Sequence, residues 1–527
     1  MNDLLRTKPK SLREKLAQLI FVRIGSNLPP VRTVEQDAER IANLLQECPV
    51  GGLLLFNGRR GETAHTLADL QSQSQYPLLV ASDIERGVGQ QILGHTMFPH
   101  AMAFDALGEE AEQAVRQFAK CTAIMARANG IHITFAPVAD VNIDPRNPII
   151  STRAFGSEPG RVSQLVKVFV ESCQSEGLLA TAKHFPGHGN THEDSHSMLP
   201  RVESTRDELE ACELAPFRAA IAAQVALVMT AHVQYPGLDD SGKPATLSAP
   251  ILTNLLRSKL GFQGAVASDS LLMEGVKREA ADEGTLAVEA INAGVDLLLD
   301  VADPIATLDA LERAVLQQQL AEARAEQAFE RLWRLKELAF RERDASAALV
   351  PLDTQQPTET GESLAAELAL DDARRAVTVV CDEQSLLPLA SDRSLLAVLL
   401  KPFETNLDAP EQPLAEALCE RFARSTYFEL GPSCEQATLE EILHCARSAE
   451  QLLIAMIVKP AAWHRFGLDE KHKTLLQQLL QHPGCVLASL GTPEALKPFA
   501  NAGVQICAYS DVPVSQRALA ERLIAAN

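Results

Sequence analysis

The chain has 527 residues, enough at roughly 100–200 residues per domain for several domains, and its 46% hydrophobic and 22% charged content is that of a globular protein. Disordered, collagen-like and fibrous classes are excluded. With 48 Lys and Arg against 69 Asp and Glu, a net charge of −21 gives a surface that repels phosphate backbones and anionic lipid, so neither nucleic acid nor a membrane is an expected partner.

The first segment, MNDLLRTKPKSLREKLAQLIFV, scatters five basic residues ahead of a short apolar stretch, Leu19–Val22. That stretch is too short for the core of a secretion signal. Apolar runs such as Gln451–Val458 fall far below the ~18 residues that span a bilayer. Ten cysteines without a C-x-x-C pair read as scattered thiols. The expected location is the cytoplasm.

Eight short apolar runs then follow in order: Gln18–Ile24, Val50–Asn57, Pro77–Asp83, Ile133–Asp140, Leu178–His184, Leu227–Val233, Gly264–Ser270 and Val295–Asp300. Between them Val34–Glu47, Glu110–Asn129, Thr205–Gln224 and Ala280–Asn292 carry helical periodicity. Eight βα units predict an α/β fold, a (β/α)8 TIM-like barrel over residues 1–345. Ile305–Arg343 reads as one long closing helical stretch with Trp333 among its apolar positions, and residues 346–365 as a linker. Six more strand-like runs between Ala376 and Ser510 predict a smaller α/β sandwich domain over 366–527.

Polar or charged residues close nearly every barrel run: Asn57, Asp83, Asp140, Lys183 with His184, His232, Asp269 and Asp300. In such a barrel these edges open onto one face, where active sites are built. The densest chemistry is Lys183–Pro200, KHFPGHGNTHEDSHSMLP, with histidines at 184, 188, 192 and 196. Three readings compete. A metal-binding helix face would use the spacing of four, but Pro186, Gly187 and Gly189 break the helix it needs. A tight structural turn explains the glycines and proline but not the neighbouring charges. A catalytic loop would set Asp194 beside His196, a carboxylate and an imidazole able to act as general acid and then base.

Lys183–His196 resembles the K-H-F-P-G-H-G-[DN]-T-x-x-D-S-H signature of bacterial β-N-acetylglucosaminidases of glycoside hydrolase family 3. Asp83–Gly87 (DIERG), Phe135–Gly156, Val228–His232 (VMTAH) and Gly264–Met273 are similar to further motifs of that family, and Leu386–Leu389 and Ser489–Ala508 to its sandwich domain. The resemblance implies a retaining exo-β-N-acetylglucosaminidase acting on terminal β-linked N-acetylhexosamine of small soluble glycosides, such as muropeptide fragments from cell-wall turnover. It implies Asp269 as nucleophile, His196 as acid/base with Asp194 as its partner, and Asp83, Arg153, Lys183 and His184 as ligands of one sugar. His232 would line the same pocket, while Asp140 and Asn142 would brace loops or touch sugar. No metal or cofactor is implied, and the expected partner is a small-molecule glycoside.

The sequence departs from the pattern at Arg86, Val88 and Asn190. A neutral acid/base leaves phosphorolysis open beside hydrolysis, so the alternatives are a β-glucosidase, a phosphate-dependent β-N-acetylglucosaminide phosphorylase, or a non-catalytic sugar-binding protein. The aromatic content, 18 Phe but only four Tyr and two Trp, favours one sugar held by charged groups over a long cleft on which many rings stack.

Overall fold

A computed structural model describes residues 8–191, 199–341, 359–404, 411–461 and 466–524. Among these, eight parallel strands form one sheet: β1 (Ile20–Ile24), β2 (Gly52–Leu55), β3 (Leu79–Ser82), β4 (Ile133–Thr134), β5 (Leu179–Phe185), β6 (Leu227–Thr230), β7 (Ala265–Ala267) and β8 (Leu298–Leu299). Their order is β8-β1-β2-β3-β4-β5-β6-β7. A parallel bridge between Ala267 and Leu297, with the Ser268 N–H donating to the Leu297 carbonyl at 2.9 Å, joins the two ends and closes the barrel. Each strand falls within or beside a predicted run. Apart from β5, which keeps Lys183 and His184 within the strand, the observed strands are shorter because the polar ends of those runs leave the ladder and form the loops of the carboxyl-terminal face.

Helix starts follow local chemistry. Ser11 with Glu14, Thr33 with Gln36 and Thr205 with Glu208 each form a reciprocal capping box, which satisfies amide groups the helix leaves unpaired and stabilises each start by about 1 kcal/mol. Two helical expectations need correction. The stretch from Ile305 is two helices, Pro304–Leu316 and Glu322–Ala339, because Gln318 turns to a φ of 60° and the Gln319 and Leu320 amides fold back onto the Ala314 carbonyl. Leu320 is thereby buried, and Trp333 packs in the core 5.8 Å from Phe329. Thr205–Gln224 is likewise two helices, Arg206–Ala211 and Leu214–Ala222, separated at Cys212 and the buried Glu213.

Chain contacts group the described residues into two units. The first comprises Met1–Thr96, Val115–Asn147 and Gly156–Ala365 and contains the barrel. The second comprises Met97–Ala114, Pro148–Phe155 and Ala366–Asn527. Its sheet runs in the order β9 (Thr378–Asp382), β14 (Val504–Cys507), β13 (Cys485–Ser489), β12 (Gln451–Met456), β10 (Ser394–Leu400), β11 (Arg424–Leu430). β9 is antiparallel to β14 and the remaining pairs are parallel. Side chains alternate along β10: Leu395, Ala397 and Leu399 enter one apolar cluster, Leu396, Val398 and Leu400 the other. Helices Pro413–Cys419 and Pro513–Ile524 cover the first face, and Gln436–Ala446 and Glu470–Leu479 the second. A parallel sheet covered on both faces accounts for the unbroken apolar runs.

Candidate active site

The carboxyl-terminal ends of the barrel strands gather the chain's reactive side chains. Lys183, on β5 and only 2% exposed, is held between two carboxylates of the loop after β3: its Nζ is 2.7 Å from Asp83 Oδ1 and 2.6 Å from Glu85 Oε1. A buried ammonium is stable only when paired in this way. Asp83 retains 32% side-chain exposure, so it can also accept from a ligand hydroxyl. Glu85, in the DIERG motif, is a further site residue that the sequence does not reveal, since nothing in it tells which of two acids two residues apart on a loop meets a distant lysine.

His184 follows Lys183 and places Nδ1 2.7 Å from Oδ2 of the fully buried Asp140. Burial disfavours the Asp140 charge, but the His184 and His188 imidazoles and the backbone amide of His188, which donates to Oδ1 at 2.6 Å, hold the carboxyl below its ordinary range. An ionised carboxylate only accepts, so the proton of this bond is on His184 Nδ1, and Nε2 is the nitrogen left to meet a ligand. Asp140 therefore acts as a brace behind the site.

The turn that follows is fixed by the same logic. A Cβ at Gly189 would lie 1.6 Å from the Val141 carbonyl oxygen, and one at Gly187, whose φ is 137°, would lie 2.6 Å from Glu213 Cβ. Only glycine fits at either position. The Tyr235 hydroxyl donates to the Gly187 carbonyl at 2.7 Å, and Asn147 donates to the His188 carbonyl at 2.9 Å. Burial, with the nearby His184 adding to it, pushes His188 down to about 4, so this ring is neutral near pH 7. Asn190 donates to the Ser204 hydroxyl at 3.1 Å, which in turn lies 3.4 Å from the buried Glu213 carboxylate. An aspartate at 190 would bring a second carboxylate to that hydroxyl. His192, Asp194 and His196 lie outside the described residues.

Asp269 stands just beyond β7 and is half-buried. Burial opposes its charge, while the His232 and His184 imidazoles, the Ser270 amide at 2.7 Å from Oδ1 and the Lys183 ammonium together keep the carboxyl below its ordinary range. It is thus an ionised carboxylate beside the lysine and the histidine that carry the neighbouring ligand positions. His232, after β6, is spent on the protein: Nδ1 is 2.7 Å from Thr246 Oγ1, and Nε2 is 3.0 Å from the Ser270 carbonyl.

Arg153 ends the short helical turn Ser151–Arg153, its guanidinium donating to the Ile149 carbonyl at 3.0 Å. This turn groups with the second unit, whereas Asp83, Lys183, His184, His232 and Asp269 belong to the first. Among the described residues no three His, Cys, Asp or Glu side chains meet as metal ligands, and no helix is long and apolar enough to cross a membrane.

Residues 11–335 match the family described as glycosyl hydrolase family 3 N terminal domain. The chain is 32% identical over 466 residues to beta-hexosaminidase A of Pseudoalteromonas piscicida, covering 82% of this chain and 75% of that relative. It is 36% identical over 299 residues to a beta-hexosaminidase of Tolumonas auensis, covering 55% of this chain and 87% of that protein. The solved structure of a glycoside hydrolase family 3 beta-N-acetylglucosaminidase from Paenibacillus sp. superposes with a TM-score of 0.85 at 29% identity, covering 98% of each chain.

Proposed function

Because this chain belongs to glycosyl hydrolase family 3 and is a glycoside hydrolase, we propose that it removes terminal β-linked N-acetylglucosamine from small soluble glycosides with retention of configuration. The observation that carries the reading is the ionised Asp269 carboxylate set among Lys183, His184 and His232 at the carboxyl-terminal face of the barrel, in a chain similar over most of its length to a beta-hexosaminidase.

In the proposed reaction an Asp269 oxygen attacks the anomeric carbon as the bond to the leaving oxygen breaks. His196 in its protonated form, oriented by Asp194, gives its proton to that oxygen. Water then attacks the same carbon, His196 takes the proton, and the Asp269 carboxylate is released. Two inversions leave the configuration as it began. Asp83 and His184, with Lys183 and Arg153, hold the hydroxyls of a single sugar, and an acid held by one charge-assisted bond to Lys183 with a third of its side chain still exposed is well suited to that task. The proposed setting is the cytoplasm, with muropeptide fragments as substrates. All ten cysteines are free thiols, as a reducing compartment allows.

The test is a panel of p-nitrophenyl β-glycosides, with and without inorganic phosphate. Preference for the N-acetylglucosaminide and free N-acetylglucosamine as product support the reading. Preference for the glucoside, or a sugar 1-phosphate as product, replaces it with one of the alternatives. Binding of N-acetylglucosamine without turnover of any glycoside would leave a sugar-binding protein.

A further inference from the structure

The residue after Asp269 is fastened on three sides. The Ser270 N–H donates to Asp269 Oδ1 at 2.7 Å, its hydroxyl donates to Asp300 Oδ2 at 2.7 Å, and its carbonyl accepts from His232 Nε2 at 3.0 Å. A carbonyl cannot donate, so His232 Nε2 carries a proton. The Ser270 hydroxyl also accepts the Leu272 N–H at 3.3 Å.

Each anchor is itself held. Asp300 is 3% exposed and receives the Arg23 guanidinium twice, from Nε at 3.0 Å and through a second bond to Oδ2. The same guanidinium lies 4.6 Å from the centroid of the Phe56 ring. Asp300 has a φ of 64°, a left-handed conformation unfavourable for a non-glycine residue. It is kept there by three side-chain hydrogen bonds, and strain of this kind persists only where surrounding contacts impose it. The ends of β1, β6 and β8 thus converge on the dipeptide that leaves β7.

We propose that Ser270 is a positioning residue, clamped between the Arg23–Asp300 pair and His232 so that the Asp269 carboxylate is presented to the anomeric carbon in one orientation. The proposal rests on Asp269 being the nucleophile. β7 ends at Ala267, so the backbone carrying Asp269 has already left the sheet. Among the described residues, the Ser270 amide is the group that fixes the Asp269 carboxylate by a hydrogen bond, and residue 270 is in turn fixed by Asp300 and His232. Asp300 also dictates a hydroxyl at 270. The guanidinium already balances its charge, and a second carboxylate within hydrogen-bond distance would be repelled.

Misplacing a reacting group by about 1 Å costs on the order of 100-fold in rate. For Ser270→Ala, kcat on p-nitrophenyl N-acetyl-β-glucosaminide is expected to fall about 10- to 100-fold while KM stays within about 3-fold. The isosteric pair Ser270→Thr and Ser270→Val, which differ only in the hydroxyl, separates positioning from packing. Thr is expected to keep at least about ten times the kcat of Val. Ser270→Asp is expected to fall below Ser270→Ala, and to recover when Asp300→Asn is added. Unchanged kcat in Ser270→Ala, or equal kcat in the Thr and Val variants, overturns the clamp. Asp269→Ala, run alongside, keeps the two claims apart: full activity there removes the nucleophile assignment, whereas an inactive Asp269→Ala beside a fully active Ser270→Ala removes only the clamp.

Discussion

At the amino-terminal end of the barrel, just before β8, Asp296 is fully buried: Oδ1 accepts from Arg324 and Arg331 at 2.9 and 3.1 Å, and Oδ2 from Arg257 at 2.5 Å and the Val266 amide at 3.0 Å. Lys336 is buried at the same end, donating to Gln18 Oε1 and to the Pro77 carbonyl. At the carboxyl-terminal end Lys183 and Asp140 are buried as deeply, yet their partners Asp83 and His184 each keep a group available to a ligand, and Asp269 stays half-open. Burial of charge is therefore common to both ends. What separates the two is that both oxygens of Asp296 are taken up by guanidinium and amide donors, whereas at the carboxyl-terminal end the partners of the buried charges keep a face open to a ligand.

The two ends differ most at their acids, Asp269 and Asp296. Asp269→Ala is expected to lower kcat/KM by at least about 10³-fold while the melting temperature changes little, because a half-open carboxylate holds few contacts. Aryl-glycoside kinetics with calorimetry on the same sample check it. Asp296→Ala should do the reverse. Removing the acid leaves three clustered guanidiniums uncompensated, a loss of about 3–5 kcal/mol of stability measurable by urea unfolding. Its kcat/KM below the melting temperature is expected to match the parent, and a large catalytic defect would dissolve the distinction between the two ends.

Asp140→Asn probes the brace between the extremes. An amide can donate where the carboxylate only accepted, so the His184 tautomer is no longer fixed, and kcat/KM should fall about 10- to 100-fold, as for other groups that orient a liganding histidine. Lys336 gives the smallest and most sign-dependent effect. Burial pushes its ammonium from 10.5 down to about 7. Below that pH both folded and unfolded chains carry the proton, and the folded state bears the full cost of burying it. Between about 7 and 10.5 the unfolded chain binds more protons, so this group's contribution makes unfolding free energy rise with pH. Lys336→Met removes the cost but leaves Gln18 and the Pro77 carbonyl without their donor. A net gain of about 1 kcal/mol is expected near pH 6, shrinking toward pH 10. Urea midpoints at the two pH values test it, and a gain that grows with pH would contradict the buried-ammonium account.

Much of this was legible in the residues. Strand-like runs located all eight barrel strands and the six strands of the second sheet; the parallel strands covered on both faces are mainly apolar, while the two edge strands β9 and β11 are only half-buried. The PGHG turn could be read from its glycines and proline, since backbone that approaches a carbonyl at 1.6 Å from a would-be Cβ admits nothing larger. The break at Gln317–Ala321 was not legible: Ala, Leu, Glu and Arg carry helical propensity on both sides, and the burial of Leu320 that ends the first helix is a tertiary fact. Nor was the grouping of Arg153 with the second unit, since short loop segments take their neighbours from packing.

By itself the sequence determined the strand-edge chemistry: Asp83, Asp140, Lys183, His184, His232, Asp269 and Asp300 each sit where a short apolar run ends, and that position follows from local pattern alone. Only the tertiary structure decided which of them are linked to one another and which remain available. Glu85 meets a lysine almost a hundred residues away, and Arg23 meets Asp300 across 277 residues. Strand pairing and barrel closure, acting over the whole chain, bring such partners within hydrogen-bond distance, and no local periodicity encodes that choice.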